Sequence, residues 1–180
     1  MQSAADLTGL AVITATTGER LGRVHDVIFD AATGQITGFM VDPGGLFTKA
    51  QLLARGLVRS LGADACIVEG GTTLEPVHAD PPIPGSLAVR SLAGRPVLDQ
   101  TGKHIGNVAG AVVDEPSLSV PALQITTGML DKMLRGKHDL PLSLVQAIGP
   151  DSVIAVSAYD PQASGGAAGP EAGAEQPPAA

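Results

Sequence analysis

The chain has 180 residues, a net charge of -7 and only 16% charged residues, with 44% hydrophobic residues but no Trp, one Tyr and three Phe. Its Lys and Arg are spread thinly, five against seven Asp and Glu over Leu7–His78 and six against seven over Leu87–Asp160, so neither part has the basic excess that a phosphate backbone demands and direct nucleic-acid binding is not expected. The scarcity of aromatic rings also argues against a base-stacking platform.

Gly9 to Thr14 is short, apolar and β-branched and runs into Thr16-Thr17-Gly18, the pattern of a strand entering a hairpin. Arg20 to Phe29 reads as a longer strand in which Leu21, Val24, Val27 and Phe29 break strict alternation, which points to a bulge near Gly22. Asp30-Ala31-Ala32-Thr33-Gly34 is a turn: Asp bonds back to nearby amides and Gly34 takes positive φ. Ile36 to Val41 is the next strand, ended by Asp42-Pro43-Gly44-Gly45. Leu46 to Leu61 has leucines at helical spacing interrupted by Gly56, and we read it as a loop, a short strand at Leu52–Ala54 and a helical turn near Leu57–Ser60. Ala65 to Glu69 closes the unit as a strand, and Cys66 within it is expected to be an inert core thiol.

Pro81, Pro82 and Pro84 then mark a stiff boundary. Beyond it the pattern begins again. Gly18, Leu21, Gly22, Val24, Ile28 and Asp30 meet Gly102, Ile105, Gly106, Val108, Val112 and Asp114 at a constant offset of 84, Leu92–Val97 echoes Leu7–Val12, and Leu144–Val156 echoes Leu57–Val68 at offset 87. Val120 to Ile125 matches Ile36 to Val41, and Pro121 should place that strand at an edge or turn its nitrogen outward. The divisions that follow are a first unit over 1–78, a Pro-rich linker over 79–86, a second unit over 87–160 and a disordered Ala/Gly/Pro tail over 161–180. Units of about 70 residues bury only roughly 60% of their unfolded surface. Pseudo-dimeric packing of the two units, or homodimerisation, is therefore expected.

The repeated pattern is an opening Gly-x-x-Val, then Gly-x-x-[Leu/Ile]-Gly-x-Val, a strand ending in Asp, and a closing Gly-x-Asp-x-x-[Ile/Val]-x-Val. It runs through Gly9, Val12, Gly18, Leu21, Gly22, Val24, Asp26, Asp30, Gly34, Gly62, Asp64, Ile67 and Val68, and again through Gly94, Val97, Gly102, Ile105, Gly106, Val108, Asp114, Gly149, Asp151, Ile154 and Val156. This resembles the PRC-barrel family, found in the photosynthetic reaction centre H subunit and in the ribosome maturation factor. The second copy departs from it where Gly110 replaces the Asp at Asp26 and where Glu115-Pro116-Ser117 lacks the glycine supplied by Gly34. The resemblance implies an all-β chain of two small barrels in tandem with short helical turns. It also implies a non-enzymatic module that docks on protein, ribonucleoprotein or membrane complexes.

No chemistry-bearing constellation competes with that reading. His25, His78, His104 and His138 lie far apart and follow no metal-ligand spacing. His25-Asp26 and Ser60 lack a nucleophile-elbow sequence, and the plain expectation is a surface His25 with Asp26 and Asp30 bonded to turn amides. Catalytic, metal-binding and cofactor-binding residues are therefore expected to be absent. The loops that differ between copies carry apolar side chains, Leu46 and Phe47 in one and Met129, Leu130, Met133 and Leu134 in the other, which suit either barrel closure or a docking surface. No apolar run approaches the ~20 residues of a membrane span, the first six residues lack a signal pattern, and one cysteine cannot form an intramolecular disulfide. The function expected is a cytoplasmic adaptor or scaffold with a protein partner; a ribosome maturation or RNA-processing accessory factor and a peripheral subunit of a membrane electron-transfer complex are the alternatives.

Overall fold

The computed structural model describes residues 1–45, 49–78, 81–127, 137–157 and 159. The protein is all-β; among the described residues it has two sheets, two short α-helices and two 3-10 turns. The first sheet is built from β2 (Ala11–Thr14), β3 (Arg20–Asp30), β4 (Ile36–Asp42), β5 (Gln51–Ala54), β6 (Val58–Leu61), β7 (Ala65–Val68) and β8 (Glu75–Pro76), in the order β6-β7-β2-β3-β4-β5-β8. The second is built from β10 (Pro96–Asp99), β11 (His104–Asp114), β12 (Ser119–Thr126), β13 (Lys137–Pro141), β14 (Val145–Ile148) and β15 (Val153–Ala155), in the order β14-β15-β10-β11-β12-β13. Apart from β8, the two orders are the same when equivalent strands are matched. Even the parallel pairs agree, β2 with β7 and β10 with β15.

Gly22 and Gly106 explain why the repeat keeps a glycine there. A Cβ at Gly22 would collide with the Asp42 carbonyl oxygen and stand 2.8 Å from Val41 Cγ1, and one at Gly106 would collide with the Thr126 carbonyl oxygen. The missing side chain lets the long strand cross its neighbour closely. The expected bulge is next to it, where the register slips between Val12↔Gly22 and Ile13↔Arg20 and, in the other sheet, between Val97↔Gly106 and Leu98↔His104.

The remaining loss of alternation in β3 has a different cause. Asp26, Val27, Ile28 and Phe29 are all buried because the strand is covered on both faces. The cover comes from two arms of the chain. β1 (Gln2–Ser3) leads into α1 (Ala4–Leu7), and β9 (Ser86–Ala88) leads into α2 (Val89–Leu92); both helices lie against β3 and β11. β1 does not join the sheet that follows it: it pairs with β11, as Gln2↔Val113 and Ser3↔Val112. β9 in turn pairs with β3, as Phe29↔Leu87 and Ile28↔Ala88. Each half thus lends its first strand and helix to the other sheet.

A second seam repeats the exchange. Gln35 and Ser119 form a bridge, flanked by Ile36 N–H donating to Leu118 O at 2.9 Å and Val120 N–H donating to Gly34 O at 2.7 Å. The buried residues form one cluster that runs through both halves, from Phe29 and Phe39 to Leu123 and Ile125.

One local expectation is altered and two are sharpened. The helical turn in the Leu46–Leu61 region is a 3-10 turn at Arg55–Leu57, and Val58–Leu61 is strand β6. β12 is not an edge strand, since β11 and β13 flank it. Pro121 is accommodated because the β11 register jumps from Val112↔Ala122 to Asp114↔Ser119 and the β13 ladder ends at Ala122↔Pro141, so its nitrogen meets no ladder on either side. The glycine missing from the second turn is replaced functionally by Leu118, at φ 48, where Gly34 has φ 70. The tail expected over 161–180 lies outside the described residues. No helix among the described residues is long and apolar enough to cross a membrane.

Candidate functional site

The only buried charged side chain among the described residues is Asp26, 7% exposed. Its Oδ1 accepts from Val27 N–H at 2.8 Å, and Oδ1 and Oδ2 accept from Arg90 N–H at 3.3 and 3.2 Å. Arg90 is the second residue of α2, whose own N-cap position, Ala88, has no side-chain bond to give. Asp26 therefore supplies from the first half the cap that the second half's helix lacks. Burial pushes its carboxyl above the usual value, partly offset by the two amides and by the nearby Arg90 guanidinium and His25.

His25 is exposed, as expected, and Arg90 Nη1 stands 3.1 Å from its Nε2 and 3.3 Å from its Nδ1, donating to the unprotonated ring nitrogen. Asp26 and Arg90 separate two clefts. One, of about 290 Å³, is floored by Ile28, Met40 and Ala88 and bordered by His25, Val77 and Pro82. The other, of about 310 Å³, lies between the helices against Ala4, Thr8, Val89, Ala93, Ala109 and Gly110.

Ser60 lines neither cleft; it sits on β6 opposite Ile67. His25 and Asp26 are adjacent in sequence, but one faces solvent and the other caps a helix. Asp30 does bond turn amides, accepting from Ala32 at 2.8 Å and Thr33 at 3.0 Å, which hold its carboxyl below the usual range. The expectation that Asp26 would do the same is corrected: its second partner is a helix amide from the other half. Burial pushes the Cys66 thiol up to about 11, so it is protonated at neutral pH. Among the described residues no three His, Cys, Asp or Glu side chains converge as a metal site. The docking candidates Leu46, Phe47, Met129, Leu130, Met133 and Leu134 all lie outside the described residues.

The curled sheet, its glycine crossing and its N-terminal arm are accompanied by a family match. Residues 1–74 match the PRC-barrel domain. The PRC-barrel match includes β1 and α1, although the strand that β1 pairs with, β11, lies beyond it. It also ends before β8, so the second sheet's likeness to a PRC barrel rests on strand order and on the spacing of the repeated residues. No curated protein matches the chain.

Arg90 was not legible as part of this site, because what Asp26 binds is its backbone amide. A signal for the arms did exist. Ser3-x-x-Asp6 is a capping-box spacing, and Ser3 Oγ accepts from Ala5 N–H while Asp6 accepts from Ser3 N–H at 3.1 Å. Leu7 and Leu92 stand at offset 85, the same offset that links Gly9 to Gly94.

Proposed function

We propose that this chain is a non-catalytic adaptor that binds a protein or ribonucleoprotein complex through its surface and its two unlike apolar loops. The PRC-barrel domain at 1–74 points to a protein-interaction module. The observation that carries the reading is the state of Asp26: both carboxylate oxygens accept from backbone amides, and that geometry holds two halves together without presenting a reactive group. The two copies differ in sequence at these loops, Leu46 and Phe47 against Met129, Leu130, Met133 and Leu134, and connecting segments are where scaffolds commonly carry binding residues.

Affinity capture from native extract, with the wild-type chain and with the double variant Met129→Ser/Met133→Ser, tests it. The wild type is expected to retain a reproducible set of proteins and the variant to lose them by about tenfold, at unchanged melting temperature. No partner above background for the wild type sinks the adaptor reading; equal capture by both chains moves the docking surface off the Met loop. Co-sedimentation of the captured set with ribosomal subunits or with membranes separates the two narrower readings.

A further inference from the structure

We infer that each half of this chain is an incomplete fold whose fitting partner is the complementary half, taken from the same chain or from a second copy, and that the segment between Pro76 and Ser86 keeps the two at high local concentration. The exchange of arms is the main ground. β3 is completed by β9 and β11 by β1, so each sheet borrows a strand from across the boundary. Leu7 and Leu92, both 0% exposed, end helices α1 and α2, whose neighbours include the other half's long strand.

The polar contacts agree. Asp26 caps α2, Ser3 Oγ donates to Gln124 Oε1 at 2.9 Å, Arg55 Nη2 donates to Ser117 O at 3.0 Å, and the terminal amine of Met1 stands 3.0 Å from Glu115 Oε2; each of these spans the two halves. The strand pairings and the Gln35↔Ser119 bridge repeat at offsets of 84 and 85. That is the signature of an isologous two-fold interface, in which the same surface occurs on both sides and the contact closes on itself. A half from a second copy offers the same strands, helix and caps as the half already present. Only the linker favours the intramolecular arrangement, by an effective concentration in the millimolar range for a short connection.

The test replaces Pro81–Pro84 in the full chain with a recognition sequence for a specific protease and cuts the folded protein there. Native mass spectrometry is expected to find both fragments in one particle with the mass of the uncut chain plus the one water added by hydrolysis. The cut protein should melt about 3 to 5 °C lower for each tenfold dilution, whereas the uncut chain shows no such dependence. Mixing cut preparations, one labelled with nitrogen-15, should give hybrid particles. Fragments that separate while each keeps its own concentration-independent melting overturn the inference. Native-state hydrogen exchange on the unaltered chain gives a second measurement that needs no variant. Amides of β3 and β11 are expected to share one opening free energy, and two distinct values would also overturn it.

Discussion

In the first half Asp26 on β3 stands opposite Met40 on β4 and caps α2; in the second half the equivalent pair is Gly110 opposite Gln124, and α1 is capped by its own Ser3. The polar group has moved from the long strand to its neighbour. Gly110 leaves room for it: a Cβ there would only reach ordinary contact, 3.4 Å, with Gln124 Oε1, the atom that accepts from Ser3 Oγ. The apolar parts of the two arms stayed alike, with Leu7 and Leu92 equally buried. A helix of one turn cannot hold itself in water, so burial supplies the stability of the arm and the cap settles its entry angle. Capping chemistry can then drift while the leucine cannot.

The largest effects should therefore be equal in the two halves. Leu7→Ala and Leu92→Ala each remove a fully buried side chain and are expected to cost about 3 to 4 kcal/mol, read as a lower urea midpoint at unchanged m. A large loss for one and a loss below about 1 kcal/mol for the other would break the equivalence of the arms. The effect expected next in size tests the strand crossing. Gly22→Ala and Gly106→Ala each push a methyl group into a neighbouring carbonyl, of Asp42 or Thr126, and should cost about 2 to 3 kcal/mol. At Gly22 the methyl also comes within 2.8 Å of Cγ1 of the fully buried Val41, whereas at Gly106 the carbonyl of Thr126 is the one close obstacle. If the two differ, Gly22→Ala should be the worse.

These contrasts also show what could be read from the residues in advance. The glycine crossings, the Asp30 turn and the paired long strands follow from local chemistry that leaves a mark in sequence, because only glycine tolerates a clash of that kind and only a short polar side chain bonds its own turn. The exchanged arms leave only the Ser3-x-x-Asp6 spacing and the repeated leucine, because two strand residues and four helical ones are too few for a period to show. Nor does the partner of a strand follow from its position in the chain; β1 precedes the first sheet and joins the second. Leu118 was hidden for the opposite reason, since a leucine at positive φ breaks the rule by which such turns are found. Its side chain packs against the core cluster, and that burial offsets the backbone strain.

The smallest effect separates the two caps by their charge. Asp26→Ala leaves the Arg90 and Val27 amides without their acceptor and Ser3→Ala leaves α1 without its cap, so each should cost about 1 kcal/mol at neutral pH. Only the first seat carries a buried ionisable group, since Asp6, which completes the α1 capping box, is exposed. Because burial raises the folded pKa of Asp26 above its ordinary 3.8, the folded protein takes up that proton more readily than the unfolded chain. Its contribution to stability is therefore fully present below 3.8 and is lost as pH rises through the folded value. Asp30, Asp99 and Glu115, with lowered values, titrate in the opposite sense as the pH falls, so the stability of the wild type alone would mix the two. The difference between wild type and Asp26→Asn cancels them. Wild type should gain on the variant as pH falls through the raised folded value toward the ordinary 3.8, and the difference should be flat well above that folded value, while the corresponding difference for Gln124→Ala stays flat throughout. A flat Asp26→Asn difference across the whole range would mean that water reaches the first cap as freely as it reaches a surface carboxylate, and the two seams would then be electrostatically the same.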